Sequence, residues 1–143
     1  MSETGMMQIQ TDLKTILREL RPILLPSVYV FCSLPDAHYG AVSELSPLAC
    51  FQEAEGLSVI LPRESADRVS LPYEGLFRCI SLQVFSSLNA VGLTAVVSTT
   101  LTAQGISANV VAATHHDHVF VPVDRAQEAL VLLQSLRGTE PSY

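Results

Sequence analysis

A chain of 143 residues that is 48% hydrophobic carries enough apolar material for a core of its own, as one compact unit or as two very small packed modules. Eight Lys and Arg stand against fourteen Asp and Glu, a net charge of −6, and Lys14 is the only lysine, which argues against nucleic-acid and anionic-membrane partners. The charged fraction of 15% lies below the roughly 25% of an average soluble domain, so much of the surface is either Ser, Thr, Ala and Gln or buried in an oligomer, and a homodimer or higher homo-oligomer is expected.

Ile9, Leu13, Ile16, Leu17 and Leu20 recur at helical spacing behind the cap candidates Thr11 and Asp12, and Pro22 ends the pattern, so a short amphipathic helix is expected here. Beyond Pro26 the texture changes. The segments 27–33, 48–53 and 57–61 are rich in β-branched, aromatic and apolar residues and read as three strands, the last two joined through Glu55-Gly56 as a hairpin. Residues 63–69 suit one or two helical turns, and Leu71-Pro72-Tyr73-Glu74-Gly75 reads as a linker, dividing the chain into modules 1–72 and 73–143.

In the second module Leu76 to Phe85 alternates, with Ile80, Leu82 and Val84 on one face, which predicts a half-buried strand. Leu93 to Ala103 has β-branched composition but a helical face, and Gly105 as a C-terminal stop decides for helix. Ile106 to Ala113 and Val119 to Val123 read as strands around the polar turn His115-His116-Asp117-His118. Asp124-Arg125-Ala126-Gln127 suggests a capping box ahead of a last helix with the stripe Ala126, Ala129, Leu130, Leu133 and Leu136. Residues 76–137 thus run β-α-β-β-α. A following strand, or one borrowed from the first half, would complete a βαββαβ ferredoxin-like sandwich of the α+β class.

Apolar runs such as Ile23-Leu24-Leu25 and Val110-Val111-Ala112-Ala113 fall far short of the roughly 20 residues of a membrane span, and Met1-Ser2-Glu3-Thr4 lacks the positive start of a signal peptide, so a cytoplasmic protein is expected. Cys32, Cys50 and Cys79 lie in apolar segments without CxxC spacing, which predicts buried reduced thiols.

The segments Ser86-Ser87-Leu88-Asn89-Ala90-Val91-Gly92-Leu93-Thr94-Ala95, 103–111 and His116-Asp117-His118-Val119-Phe120-Val121-Pro122, with Phe51-Gln52-Glu53-Ala54-Glu55-Gly56-Leu57 and Leu71 to Gly75, resemble an ACT domain. More narrowly, the chain is similar to small bacterial tandem-ACT proteins, and through them to the regulatory modules of aspartate kinases and of animal cytosolic arginine sensors. The resemblance implies two ferredoxin-like ACT modules in tandem and an allosteric, amino-acid-binding regulatory role without catalysis. It implies a ligand held at an ACT–ACT interface, by Ser87, Leu88, Asn89, Ala90, Val91, Gly92, Leu93 and Thr94 in the turn and by Asn109, Val110 and Val111 on the facing strand, with Asp117 in the ligand neighbourhood. The residues themselves are consistent with that chemistry: a strand turning into a helix at Gly92 presents unpaired N–H groups and partial positive charge to a carboxylate, and Asp117 is an acceptor for an amine.

Two other readings compete. His116 and His118 share one face of an extended segment and suit a metal-dependent enzyme, but neither a second histidine cluster nor a cysteine pair completes such a site, so no cofactor and no metal are expected. Asp36-Ala37-His38-Tyr39-Gly40 groups a carboxylate, an imidazole and a phenol, although a solvated loop explains it as well. The last reading is a dimeric interaction module with no ligand.

Overall fold

The computed structural model describes residues 12–84 and 86–139. These divide into two compact units, residues 26–78 and residues 12–25 with 79–139, so the chain passes from one unit to the other between Leu25 and Pro26 and returns between Arg78 and Cys79. No helix among the described residues is long and apolar enough to cross a membrane.

In the unit of residues 26–78 the strands run in the order β2-β3-β1, with β1 Pro22–Leu34, β2 Ala49–Glu53 and β3 Gly56–Pro62. The strand expected over 27–33 therefore starts earlier, at Pro22. Proline is compatible with extended backbone but lacks a ladder donor. The β1–β3 pairing accordingly lies wholly after Pro26, from Tyr29 opposite Pro62 to Leu34 opposite Leu57. The predicted hairpin joins β2 to β3, with Glu53 paired to Gly56 across the Ala54-Glu55 turn. Gly56 has φ +136°, and a Cβ there would stand 2.6 Å from Leu34 O and from Pro35 Cα and O.

Alternation along β1 and β3 puts Val30, Cys32, Leu57, Val59 and Leu61 into a core with Val42 and Ala66. Ala66 belongs to α2, Arg63–Arg68, within the expected 63–69 stretch. Val42 comes from a 3-10 helix over Tyr39–Leu45. The segment 71–75 is no free linker: Leu71 N–H donates to Ala66 O at 2.9 Å, Tyr73 Oη donates to Asp67 at 2.7 Å, and both residues pack on this core.

The unit of residues 12–25 and 79–139 holds β4 (Phe77–Leu82) from Cys79 onwards, α3 (Leu93–Thr102), β5 (Asn109–Ala112), β6 (Asp117–Pro122) and α4 (Ala126–Gln134), in the strand order β1-β4-β6-β5. The missing last strand of the βαββαβ pattern is thus the borrowed one, the opening residues of β1, and Gln83 N–H donates to Arg21 O at 2.9 Å beside it. The expected first helix is α1, Leu13–Glu19, with Leu13, Ile16 and Leu17 buried and Leu20 closing the stripe; Ile9 and Thr11 lie outside the described residues. Asp12 caps no backbone group but accepts from Thr15 Oγ1 at 2.9 Å.

Helix wins over β propensity in α3 because Leu93, Val97 and Leu101 bury one face against Ile80, Leu82, Val119 and Val121. Gly105 ends it as expected, at φ +69°: Ile106 N–H donates to Leu101 O at 3.0 Å and Gly105 N–H to Thr102 O at 2.9 Å, the paired bonds of a Schellman motif. The capping box before α4 does not form. Val123–Arg125 is a 3-10 turn, Arg125 holds the cap position, and its guanidinium instead ties Glu128 at 2.6 Å to Gln104 O at 3.0 Å.

Of the three thiols, Cys32 and Cys79 are buried and Cys50 is only half-buried, because β2 is an edge strand of its unit. Burial pushes the Cys79 thiol up to about 12 and raises that of Cys32, so neither is a nucleophile at neutral pH.

Candidate functional site

Period-two alternation along β6 decides where Asp117 points. Val119 and Val121 enter the helix-covered core, so Asp117 belongs to the same face and stands under the start of α3. There Ser86, Ser87, Leu88, Ala90, Gly92, Leu93 and Thr94 meet Asp117 and Ala112 around a cleft of about 130 Å³. The turn that forms its rim is self-bonded: Ala90 N–H donates to Ser87 O at 2.9 Å and Asn89 N–H to Ser87 Oγ at 3.0 Å. Gly92 carries the chain into α3 at φ +111°, a left-handed conformation that favours glycine.

The electrostatics of the two walls are opposite. The first intrahelical bond of α3 is Val96 N–H to Gly92 O at 2.9 Å, so the N–H groups of the first turn are left over, and neither a capping side chain nor an acidic residue neutralises them. Facing them is a carboxyl whose pKa is raised, chiefly by burial, although His118 and His116 oppose the shift. A cleft with partial positive charge on one wall and a carboxylate on the other is complementary to a zwitterion.

Six of the expected turn residues therefore line the cleft together with Asp117, while Asn89 and Val91 do not; Val91 is 78% exposed on the outer side of the turn. Asn109, Val110 and Val111 lie along β5 opposite Phe120, Val119 and His118, away from the lining. The strand contributes Ala112 instead, because Ala112 is the residue registered against Asp117. Ala112 and Ser86 were missed by sequence reasoning. Counting back from the turn, closed by Ala113 N–H to His116 O at 3.2 Å, would have found the first of them.

The histidine cluster leads into β6, which starts at Asp117. Among the described residues no three His, Cys, Asp or Glu side chains gather at metal-binding range, and the rings of His115 and His116 are 6.4 Å apart. His118 has a buried Nδ1 without a hydrogen-bond partner, and its pKa is lowered, first by burial and then by His116, with Asp117 pulling the other way. A base depressed in the folded state stabilises above its unfolded pKa of about 6.5 and loses that contribution as pH falls. His118→Leu is therefore expected to lessen the fall in Tm between about pH 7.5 and 5.5, read by calorimetry at both pH values. In the other unit Asp36, His38 and Tyr39 are all exposed, with no hydrogen bond joining them.

Two family models, each described as an ACT domain, match residues 10–78 and 76–135. A Vibrio cholerae protein of unknown function, described as a possible transport protein, is similar at 40% identity and a TM-score of 0.80, over 89% of this chain and 96% of that one. An Agrobacterium tumefaciens protein is similar at 18% identity with a TM-score of 0.68, over 83% and 89% of the two chains. The regulatory subunit of aspartate kinase from Thermus thermophilus, in a ligand-free form, is similar at 12% identity with a TM-score of 0.56, over 80% and 95%. The last two likenesses are of fold alone. No curated protein sequence matches the chain.

Proposed function

Since the chain belongs to the ACT-domain family, we propose that it is a non-enzymatic regulatory protein that binds a free amino acid in the cleft between the Ser86–Thr94 turn and Asp117. The observation that carries this reading is the opposition of the two walls, unneutralised N–H groups at the start of α3 against the carboxylate of Asp117. The α-carboxylate of the ligand sits on the first-turn N–H groups and its ammonium, or a basic side chain, on Asp117. Leu88, 69% exposed at the cleft, and Val91, 78% exposed on the same turn, supply the apolar surface that a second ACT module covers in a homodimer, which closes the site at an ACT–ACT interface. Its make-up of two ACT domains supports a signalling role, with the ligand's binding energy passed to a partner protein.

A thermal-shift screen of the full chain against the twenty amino acids tests the proposal. A ligand at 100 times its Kd stabilises by about 2.7 kcal/mol, a shift of several degrees for a domain of this size. Silence across the panel would overturn it. Gly92→Leu is expected to abolish the response, since leucine at φ +111° reshapes the turn and fills the approach to the helix N-terminus. Far-UV circular dichroism of this variant should stay near that of the wild type.

A further inference from the structure

On the same unit, a second and larger cleft of about 290 Å³ lies between the end of α1 and the end of α4, lined by Leu20, Arg21, Pro22, Ile23, Gln134 and Arg137. Two of the eight Lys and Arg residues of an acidic protein line this cleft, and none of the lining residues is acidic. Both arginines are held at the backbone. Arg21 O accepts from Gln83 N–H at 2.9 Å, and the residue after Arg137 is pinned to α1 by Gly138 N–H donating to Leu17 O at 3.2 Å. Each follows a buried leucine, Leu20 at 0% and Leu136 at 8% exposure, which anchors the chain, and both arginines are exposed and line the cleft.

An arginine at a helix end ordinarily bonds the last carbonyls or a neighbouring carboxylate. Among the described residues neither guanidinium does so, whereas Arg63 pairs with Asp67 and Arg125 with Glu128. Two like charges in one cleft repel, and a multivalent anion between them turns that repulsion into attraction. A carboxylate saturates one guanidinium fork with its two oxygens, whereas a phosphate monoester brings three terminal oxygens and nearly two charges, enough for both arginines, with the Gln134 amide as a further donor. Ile23, 40% exposed, offers an apolar surface beside them, next to the buried Pro22. We infer that this cleft is a second ligand site, for a small phosphate monoester whose phosphate sits between Arg21 and Arg137 and whose organic part lies on Ile23.

The test is the melting temperature of the full chain, at constant ionic strength in chloride, with inorganic phosphate, phenyl phosphate or benzoate added. Phenyl phosphate should raise Tm by several degrees and inorganic phosphate by less, while benzoate leaves it unchanged. The double variant Arg21→Gln with Arg137→Gln should lose both shifts and keep the wild-type circular dichroism spectrum. No shift with either phosphate probe, an equal shift in the double variant, or benzoate matching phenyl phosphate would each overturn the assignment. Should the double variant fold poorly, loss of the shift in either single variant decides in its place.

Discussion

Asp117→Asn is expected to weaken amino-acid binding and, at the same time, to raise the melting temperature of the ligand-free protein. The pKa of the Asp117 carboxyl is raised in the folded state, mainly because the group is withdrawn from water at the start of β6. An acid so raised contributes most at pH below its unfolded value, near 3.8, and its contribution is lost as pH climbs through the folded value. At neutral pH the ionised group therefore costs stability, and the isosteric amide removes that cost while keeping the shape.

Binding runs the other way, because an ammonium needs the carboxylate. Losing a charge-assisted partner of this kind costs about 2 kcal/mol, roughly 30-fold in Kd. Calorimetric titration and melting of the same two proteins check both halves. Wild-type affinity should also fall as the solution is acidified towards the raised pKa, and the dependence should flatten in the variant. A variant that is destabilised and binds normally would remove Asp117 from the site and with it the proposed function.

Gly56→Ala should be the most damaging conservative change in the other unit. The added methyl would meet Leu34 O and Pro35 backbone atoms at 2.6 Å, and these neighbours belong to the end of β1, which cannot swing aside as a flexible side chain would. The left-handed φ of +136° adds strain for any residue with a Cβ. A loss of about 3 kcal/mol or more is expected, seen in urea unfolding as a lower midpoint. Gly40, which has open space around its Cβ position, is the matched control: Gly40→Ala should leave the midpoint nearly unchanged.

Local chemistry was legible in the sequence where one signal acted alone. Gly105 stops α3 through two specific hydrogen bonds, and the Glu53–Gly56 turn forms where the apolar runs break. The turn and Asp117 reached the candidate cleft because strand alternation and a helix start are both short-range features. What long-range pairing decides was harder to read. Ala112 enters the lining only through its register with Asp117, and nothing in its own neighbourhood distinguishes it from Val111. The segment 71–75 has the composition of a linker, yet Leu71 and Tyr73 pack on a core assembled from β1 and β3. The capping box failed because Arg125 found Glu128 and Gln104 O, and the chain took a 3-10 turn before entering α4.

The borrowed strand has a consequence for how the polypeptide is made and cut. Residues 26–78 interrupt a domain that begins before them and is completed after them, so along the gene one folding unit is nested inside another. During synthesis the opening of β1 emerges first and must wait, with its backbone donors and acceptors unmatched, until β4 has been translated. The nested segment has its three strands close together in sequence, β2 and β3 as a hairpin and β1 paired to β3, and is the natural first folder, the enclosing domain the slow one. Expression of residues 73–143 alone would therefore leave β4 with an open edge where residues 22–25 belong, while a fragment of residues 12–139 retains every described strand.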